Sequence, residues 1–162
     1  MDVREYRTID KSKWDQGPWL DEPDKVQWPD EATGFPCLIV RGPHGAWCGY
    51  VGISESHRHY GKGYGDVDVR VHGGLTYSDK CQPSDAEDRG ICHVPGPGEP
   101  DHVWWFGFDC AHAGDLAPAY DWLYSKGQPH PCPWNDSGYD EYRDMAYVKG
   151  QVRELASQLE EQ

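Results

Sequence analysis

Val103-Trp-Trp-Phe-Gly-Phe108 is the stretch that decides the fold, because it is apolar at odd and even positions alike. Successive side chains of a strand point to opposite faces of a sheet. A short run that is apolar throughout is therefore typical of a strand that is covered on both faces. We expect this segment to lie in the middle of a sheet.

Three further segments are predicted to be strands of the same sheet. Cys37–Arg41 and Trp47–Ile53 flank Gly42-Pro-His-Gly45, which is the pattern of a β-hairpin. Asp66–Val71 alternates valine with charged residues, and this alternation predicts a strand with one buried face. The sequence therefore predicts about four strands.

The C-terminal part of the chain predicts a helix from Tyr139 to about Leu159. Asp136 or Ser137 is a candidate N-cap for this helix. Apolar residues recur at alternating spacings of three and four and form one stripe, which consists of Met145, Val148, Val152, Leu155 and Leu159. We expect an α+β fold in which a small, mostly antiparallel sheet with long loops carries this amphipathic helix.

Composition favours a folded acidic domain. The 162 residues include 28 acidic and 15 basic side chains, which give a net charge of −13, together with eight Trp and ten Tyr. Few aliphatic residues and a high net charge are typical of disorder, but aromatic side chains bury large areas and can build a core. We expect a single domain over residues 1–162. Residues 1–36 are predicted to form an extended arm whose tryptophans insert into the body, and residues 37–126 the sheet and its loops.

The negative charge argues against direct binding to nucleic acid and to anionic membranes, both of which need clustered Lys and Arg. It permits docking on a basic protein surface. No apolar run is long enough to span a membrane and no signal peptide is visible, so we expect a cytoplasmic protein with mostly reduced cysteines.

Cys81 and Cys92 have two alternative interpretations. Together with His93 and either Cys110 or Cys132 they could form a structural zinc site, although their spacing lacks the short knuckle of such sites. In an oxidising compartment they could instead form a disulfide that closes the loop between two strands.

Two polar clusters are the candidate functional site. One follows the central strand and the other is a glycine turn; together they supply His72, Gly73, Gly74, Tyr77, Asp109, His112 and Asp115. The clusters converge only if the turn and the end of the central strand lie at the same edge of the sheet. The sequence leaves that open.

Several hypotheses fit these residues. The glycine turns and aromatic walls could bind a nucleotide-like ligand. Imidazoles and carboxylates could instead bind Zn or another divalent metal that activates water for hydrolysis, with the ligands His72, Asp109, His112 and Asp115. Cys110 could be a nucleophile activated by His72 or His112. In the structural alternative, the aspartates cap turns and His112 packs on tryptophan.

Residues 57–65 form a basic, glycine-rich stretch. They are predicted to be a mobile turn, or alternatively a loop that contacts phosphate through Arg58 and Lys62. No Ser or Thr follows Lys62, so the stretch is not a P-loop.

The motifs Trp47-Cys-Gly-Tyr-Val-Gly52, His72-Gly-Gly-Leu-Thr-Tyr77 and Trp104-Trp-Phe-Gly-Phe-Asp-Cys-Ala-His112 resemble a family of small uncharacterised proteins of bacteriophages, prophages and some bacteria. No activity is assigned to that family, so the resemblance supplies no catalytic residues. It implies an accessory protein that acts on host machinery or host defence. We therefore expect a protein that binds a basic host protein or a nucleotide-like molecule, with a metal-dependent hydrolase as the alternative.

Overall fold

The computed structural model describes residues 1–82, 85–119 and 140–162. The chain forms one six-stranded sheet in the order β1-β2-β3-β4-β6-β5, and every neighbouring pair is antiparallel. The strands are β1 (Arg4–Tyr6), β2 (Lys25–Pro29), β3 (Pro36–Arg41), β4 (Trp47–Ser54), β5 (Tyr77–Lys80) and β6 (Val103–Asp109). The helix α1 (Met145–Glu161) packs on β3 and β4. The predicted α+β class is confirmed, with more strands than expected.

The hairpin and the central strand agree with their predictions. β3 and β4 pair from Cys37 to Arg41, and the backbone N–H of Gly42 donates to the carbonyl of Ala46 across the turn, at 2.8 Å. β6 lies between β4 and β5, so it has a strand on each side. Its residues alternate between the two faces of the sheet, and most of them are buried.

One face of the sheet, called the helix face here, carries the main core. Side chains of the sheet on this face include Val26, Ile39, Val51, Phe106 and Phe108. The predicted apolar stripe of α1 covers them, and its buried members are Val148, Val152, Leu155 and Leu159. The helix begins at Met145, later than predicted, because Asp144 is its N-cap and accepts a hydrogen bond from the backbone N–H of Tyr147 at 2.8 Å. Tyr139, Asp136 and Ser137 lie outside the described residues.

The predicted strand at Asp66–Val71 is wrong. Its valines pack on the helix face, but its backbone pairs with side chains of α1 instead of with a strand. The Gln158 amide accepts from the N–H of Arg70 at 2.7 Å and donates to its carbonyl at 2.8 Å, and Gln151 accepts from the N–H of His72 at 2.9 Å. The alternation of valine with charged residues therefore reflects a segment that buries one face but does not pair with a strand.

The predicted extended arm is also partly wrong, because residues 1–36 supply β1 and β2 to the sheet. Within the same segment, Trp14 and Trp19 are buried and form a small cluster with Ala119. The prediction that the tryptophans insert into the body is therefore confirmed for these two residues.

The second face of the sheet is covered by residues 81–82 and 85–102, called the strap here. Ile91 of the strap packs on an apolar cluster of Leu38, Val40, Tyr50, Val103 and Trp105. Two buried polar residues of β2 hold the strap. Lys25 donates to the carbonyl of Cys92 at 2.8 Å, and Gln27 bonds both the N–H and the carbonyl of Val94, at 2.8 and 3.2 Å. Burial lowers the pKa of Lys25 to about 8.

A disulfide between Cys81 and Cys92 closes the strap, with 5.1 Å between their Cα atoms. The zinc site predicted on Cys81, Cys92, His93 and either Cys110 or Cys132 is therefore wrong, because the sulfur atoms of Cys81 and Cys92 are bonded to each other. Cys132 lies outside the described residues. The expectation that the cysteines are mostly reduced does not hold for this pair. Cys37, Cys48 and Cys110 are free.

Gly49 allows α1 to approach the sheet, which gives a first prediction. A Cβ at this position would lie 2.6 Å from the Phe108 ring and 2.7 Å from Val152 Cγ2. We expect Gly49→Ala to lower the free energy of unfolding by about 1–3 kcal/mol through overpacking. The measurement is urea unfolding followed by tryptophan fluorescence.

Gly150 provides the matched control, because it lies within α1 and a Cβ there meets nothing within 4 Å. Gly150→Ala should raise the free energy of unfolding by about 0.5–1 kcal/mol through the higher helix propensity of alanine. Equal stability of the Gly49→Ala variant and the unmodified chain would show that the helix does not pack closely at this position.

Candidate functional site

The two predicted clusters do converge, by a route that the sequence does not show. His72 does not end a strand; it opens the glycine turn that precedes β5. Because β5 runs antiparallel to β6, its start lies beside the end of β6, where Tyr77 pairs with Gly107. The backbone N–H of Thr76 also donates to the carbonyl of Gly107 at 2.9 Å. The glycine turn therefore lies next to the loop that follows Asp109.

The centre of the site is a chain of three side chains whose exposure increases towards the surface. Asp115 Oδ2 lies 2.8 Å from His72 Nε2, and His72 Nδ1 lies 2.8 Å from the hydroxyl of Tyr147. The side chain of Asp115 is 2% exposed and that of His72 is 14% exposed, whereas Tyr147 is 37% exposed. Asp115 thus orients the imidazole, which in turn orients the phenol.

Arg143 completes the surroundings of Asp115. Its Nε donates to Asp115 Oδ1 at 3.0 Å, and its Nη1 donates to Glu141 Oε2 at 3.0 Å. Burial on its own raises the pKa of Asp115, but the hydrogen bonds from His72, Arg143 and the N–H of His112 outweigh it and leave this pKa below its usual value. The carboxylate is therefore a stable buried anion.

The sequence-based prediction did not include Arg143 or Tyr147. Arg143 precedes the N-cap Asp144 and Tyr147 lies in the first turn of α1, so no helical spacing signals this pair in the sequence. The guanidinium lies over the Tyr147 ring, 5.1 Å from its centre.

Asp109 and His112 form the outer part of the site. Asp109 Oδ1 lies 3.2 Å from His112 Nε2, and Asp109 Oδ2 accepts from the Thr76 hydroxyl at 3.1 Å. The rings of His72 and His112 are 6.2 Å apart. Gly73 is required between them, because its φ is +68° and a Cβ there would lie 2.3 Å from His112 Nε2. Gly74, at a φ of +79°, continues the turn.

The geometry does not support the predicted metal site. Within residues 1–82, 85–119 and 140–162, no group of three or more His, Cys, Asp or Glu side chains is placed to hold a metal ion. His72 is paired with Asp115 and His112 with Asp109, so the four predicted ligands form two separate pairs.

Two other predicted residues have different surroundings. Tyr77 belongs to the cluster under the strap, where its ring meets the Tyr50 ring edge-on at 5.4 Å. It is not part of the site. Cys110 is buried and its pKa is raised, chiefly by burial. Burial disfavours the thiolate and the access that a nucleophile needs, so the geometry does not support the hypothesis of a nucleophilic Cys110.

The basic stretch at residues 57–65 caps α1. His57 Nε2 lies 2.8 Å from the carbonyl of Leu159, and Arg58 donates to the carbonyl of Gln162. His59 Nε2 lies 2.8 Å from Gln162 Oε1. Cationic groups are favoured at a helix C-terminus. Arg58 is therefore occupied by a structural contact, and the geometry does not support its predicted role as a phosphate ligand. Lys62, the other predicted phosphate ligand, is exposed, and its role stays a prediction.

Comparisons of this chain with protein-family models, with curated proteins and with solved structures find no match. In the described part of the chain, no helix combines the length and the apolar character needed to cross a membrane. The site is therefore described by its geometry alone: a network of carboxylates, imidazoles and one phenol that runs from the buried Asp115 to the exposed Tyr147.

Asp115 gives a prediction about pH. Because its pKa is lower in the folded state than in the unfolded state, the unfolded state binds more protons below about pH 4, and stability falls there as the pH decreases. Asp115→Asn removes the charged acceptor of Arg143 and His72, but Arg143 is partly exposed and keeps Glu141, so the substitution should cost about 1–3 kcal/mol at pH 7. The deficit should shrink as the pH falls below about 4. Urea unfolding over a pH series measures both effects.

Asp101→Asn is the control, because this exposed carboxylate makes no salt bridge within the described residues. Its stability should stay within about 0.5 kcal/mol of that of the unmodified chain. A deficit of Asp115→Asn that remained constant from neutral to acid pH would contradict the assigned network.

Proposed function

We propose that this chain is an accessory protein that acts by binding a basic surface of a partner protein. The observation that supports the proposal is the excess of exposed carboxylates over cations that neutralise them. Within residues 1–82, 85–119 and 140–162, the exposed acidic side chains that make no salt bridge are Asp2, Glu5, Asp10, Asp15, Asp21, Glu31, Glu55, Asp66, Asp68, Asp85, Asp101, Asp144, Glu154, Glu160 and Glu161. A surface of this kind complements a basic partner and accelerates association with it.

The candidate site adds acceptors of defined geometry to this surface. The side chains of Asp109 and Glu141 are 31% and 70% exposed. The nearby cation Arg143 is already bonded to Asp115. Glu141 is bonded to Arg143 through Oε2 and Asp109 to His112 through Oδ1, but a carboxylate accepts several hydrogen bonds, so a Lys or Arg side chain of a partner still finds acceptor oxygens at both residues.

A nucleotide-like ligand is less well supported than a basic protein. Phosphate groups need cations that are free to bind them. At the candidate site, Arg143 is bonded to Asp115 and Glu141. Of the two predicted phosphate ligands, Arg58 is bonded at the end of α1, and Lys62 is exposed but lies outside the candidate site. The metal-dependent hydrolase has no support either, because its four predicted ligands form two separate pairs.

The resemblance to bacteriophage and prophage proteins extends the proposal to a partner in host machinery or host defence, reached in the host cytoplasm. A reducing cytoplasm would open the Cys81–Cys92 disulfide. The bonds of Lys25 and Gln27 to the strap do not depend on the disulfide, so they would still hold it to the sheet.

The proposal predicts that binding depends on salt. The probe is a histone-like basic DNA-binding protein, which is titrated with the chain in a calorimeter. Affinity should fall at least about tenfold between about 0.05 and 0.5 M salt, because salt screens exposed charges. The double variant Asp109→Asn/Glu141→Gln should bind more weakly than a control of equal charge, Glu154→Gln/Glu161→Gln. An affinity that does not change with salt would contradict the proposal. Equal binding by both double variants would show that the candidate site is not part of the binding surface.

A further inference from the structure

A cavity of about 290 Å³ lies on the strap side of the sheet, away from the candidate site. Its apolar walls are Phe35, Pro36, Pro100 and Val103, and Gly52 of β4 also lines it. His93 of the strap also lines it. Small-molecule sites have this character: mostly apolar walls with a few polar groups that select the ligand.

His93 is the unusual member of this set. It is only 9% exposed, yet it makes no hydrogen bond within the described residues. The ring nitrogens of His93 are not among the fully buried side-chain atoms that lack a partner. They are therefore in contact with open space. No protein group of the described residues bonds these nitrogens, so they are available to a molecule that occupies that space. The open space beside this imidazole is the cavity.

The positions of both neighbours of His93 are closely determined. The carbonyl of Cys92 accepts from Lys25, and Gln27 holds the N–H and the carbonyl of Val94. The imidazole meets the Trp105 ring edge-on at 5.4 Å. The imidazole of His93 has no hydrogen-bond partner of its own in the described part of the chain. It is nevertheless held in position by two buried polar side chains, a disulfide and a core tryptophan. Ligand sites depend on this kind of support behind the binding group.

The charges around the cavity favour a neutral ligand. The carboxylate of Glu99 is occupied by the N-terminal amine and by the N–H of Gly96, so it is not free to hold a cation. Glu99 and Asp101 would repel an anion. Burial lowers the pKa of His93, so the ring is neutral at pH 7 and one of its nitrogens accepts hydrogen bonds.

We propose that the His93 cavity binds a planar ring that has no net charge and carries an O–H or N–H donor. Flat proline and phenylalanine walls suit such a ring, and the imidazole accepts its hydrogen bond. The ring could be the tyrosine side chain of a partner or a free molecule such as a nucleobase. This site goes beyond the proposed function, because it does not use the acidic surface.

The experiment compares p-cresol with toluene, which has the same shape but lacks the hydroxyl. Binding is measured by NMR titration of the unmodified chain and of two variants, His93→Phe and His102→Phe. One neutral hydrogen bond should favour p-cresol about three- to tenfold. His93→Phe should abolish this preference. His102→Phe makes the same chemical change at an exposed position outside the cavity and should retain it.

The inference is overturned if the unmodified chain binds both probes equally, or if the preference survives in His93→Phe. In case that variant does not fold, the imidazole ¹⁵N resonances of His93 in the unmodified chain give an independent readout, and p-cresol must shift them. Adenine and the peptide acetyl-Gly-Tyr-Gly-amide then identify the source of the ring by which of them binds more tightly. Because p-cresol is neutral, its affinity should not change with salt. A failure of p-cresol to bind is therefore distinguishable from a failure of the salt-dependent docking to a basic protein.

Discussion

The buried guanidinium of Arg41 is the interaction on which the rest of the structure depends. Its side chain is fully buried at the end of β3 and donates to Asp24 Oδ1 at 3.1 Å, to the carbonyls of Gly45 and Pro23 at 2.7 and 3.0 Å, and to the hydroxyl of Tyr142 at 3.0 Å. A guanidinium without these partners would be very costly to bury. The N-terminal segment, the hairpin turn and the segment before α1 must therefore meet at this one point.

The position of the candidate site follows from the same point. Tyr142 donates to Glu22, whose second oxygen accepts from the backbone N–H of Met145 at 2.7 Å at the start of α1. Together with the Asp144 N-cap, this contact fixes the start of the helix, and hence the positions of Arg143 and Tyr147. The N-terminal segment, which contributes no side chain to the Asp115 network, thus determines its geometry.

The parts of the fold that can be predicted from the sequence are those whose burial is visible locally. Val103–Phe108 and the stripe of α1 are of this kind. β2 is not, because Lys25 and Gln27 are buried polar residues whose partners are carbonyl groups of the strap. From the sequence, His72 and Asp115 could either converge or lie at opposite edges of the sheet. Their convergence depends on β5, and its residues Tyr77–Lys80 carry no strong strand pattern.

His72 and His93 show how two histidines of one fold can differ in what they offer to other molecules. His72 is bonded on both ring nitrogens, so it holds the glycine turn to α1 and has little capacity left for a ligand. The residues on either side of His93 are hydrogen-bonded through their backbone to Lys25 and Gln27, whereas the ring of His93 has no hydrogen-bond partner within the described residues. A hydrogen-bond network that is satisfied internally stabilises the fold, whereas a rigidly placed group without a partner has capacity for binding. The polar cluster most visible in the sequence therefore contributes mainly to stability and surface charge. The less visible imidazole of His93, within the strap, is the group with a free hydrogen-bonding site for recognition.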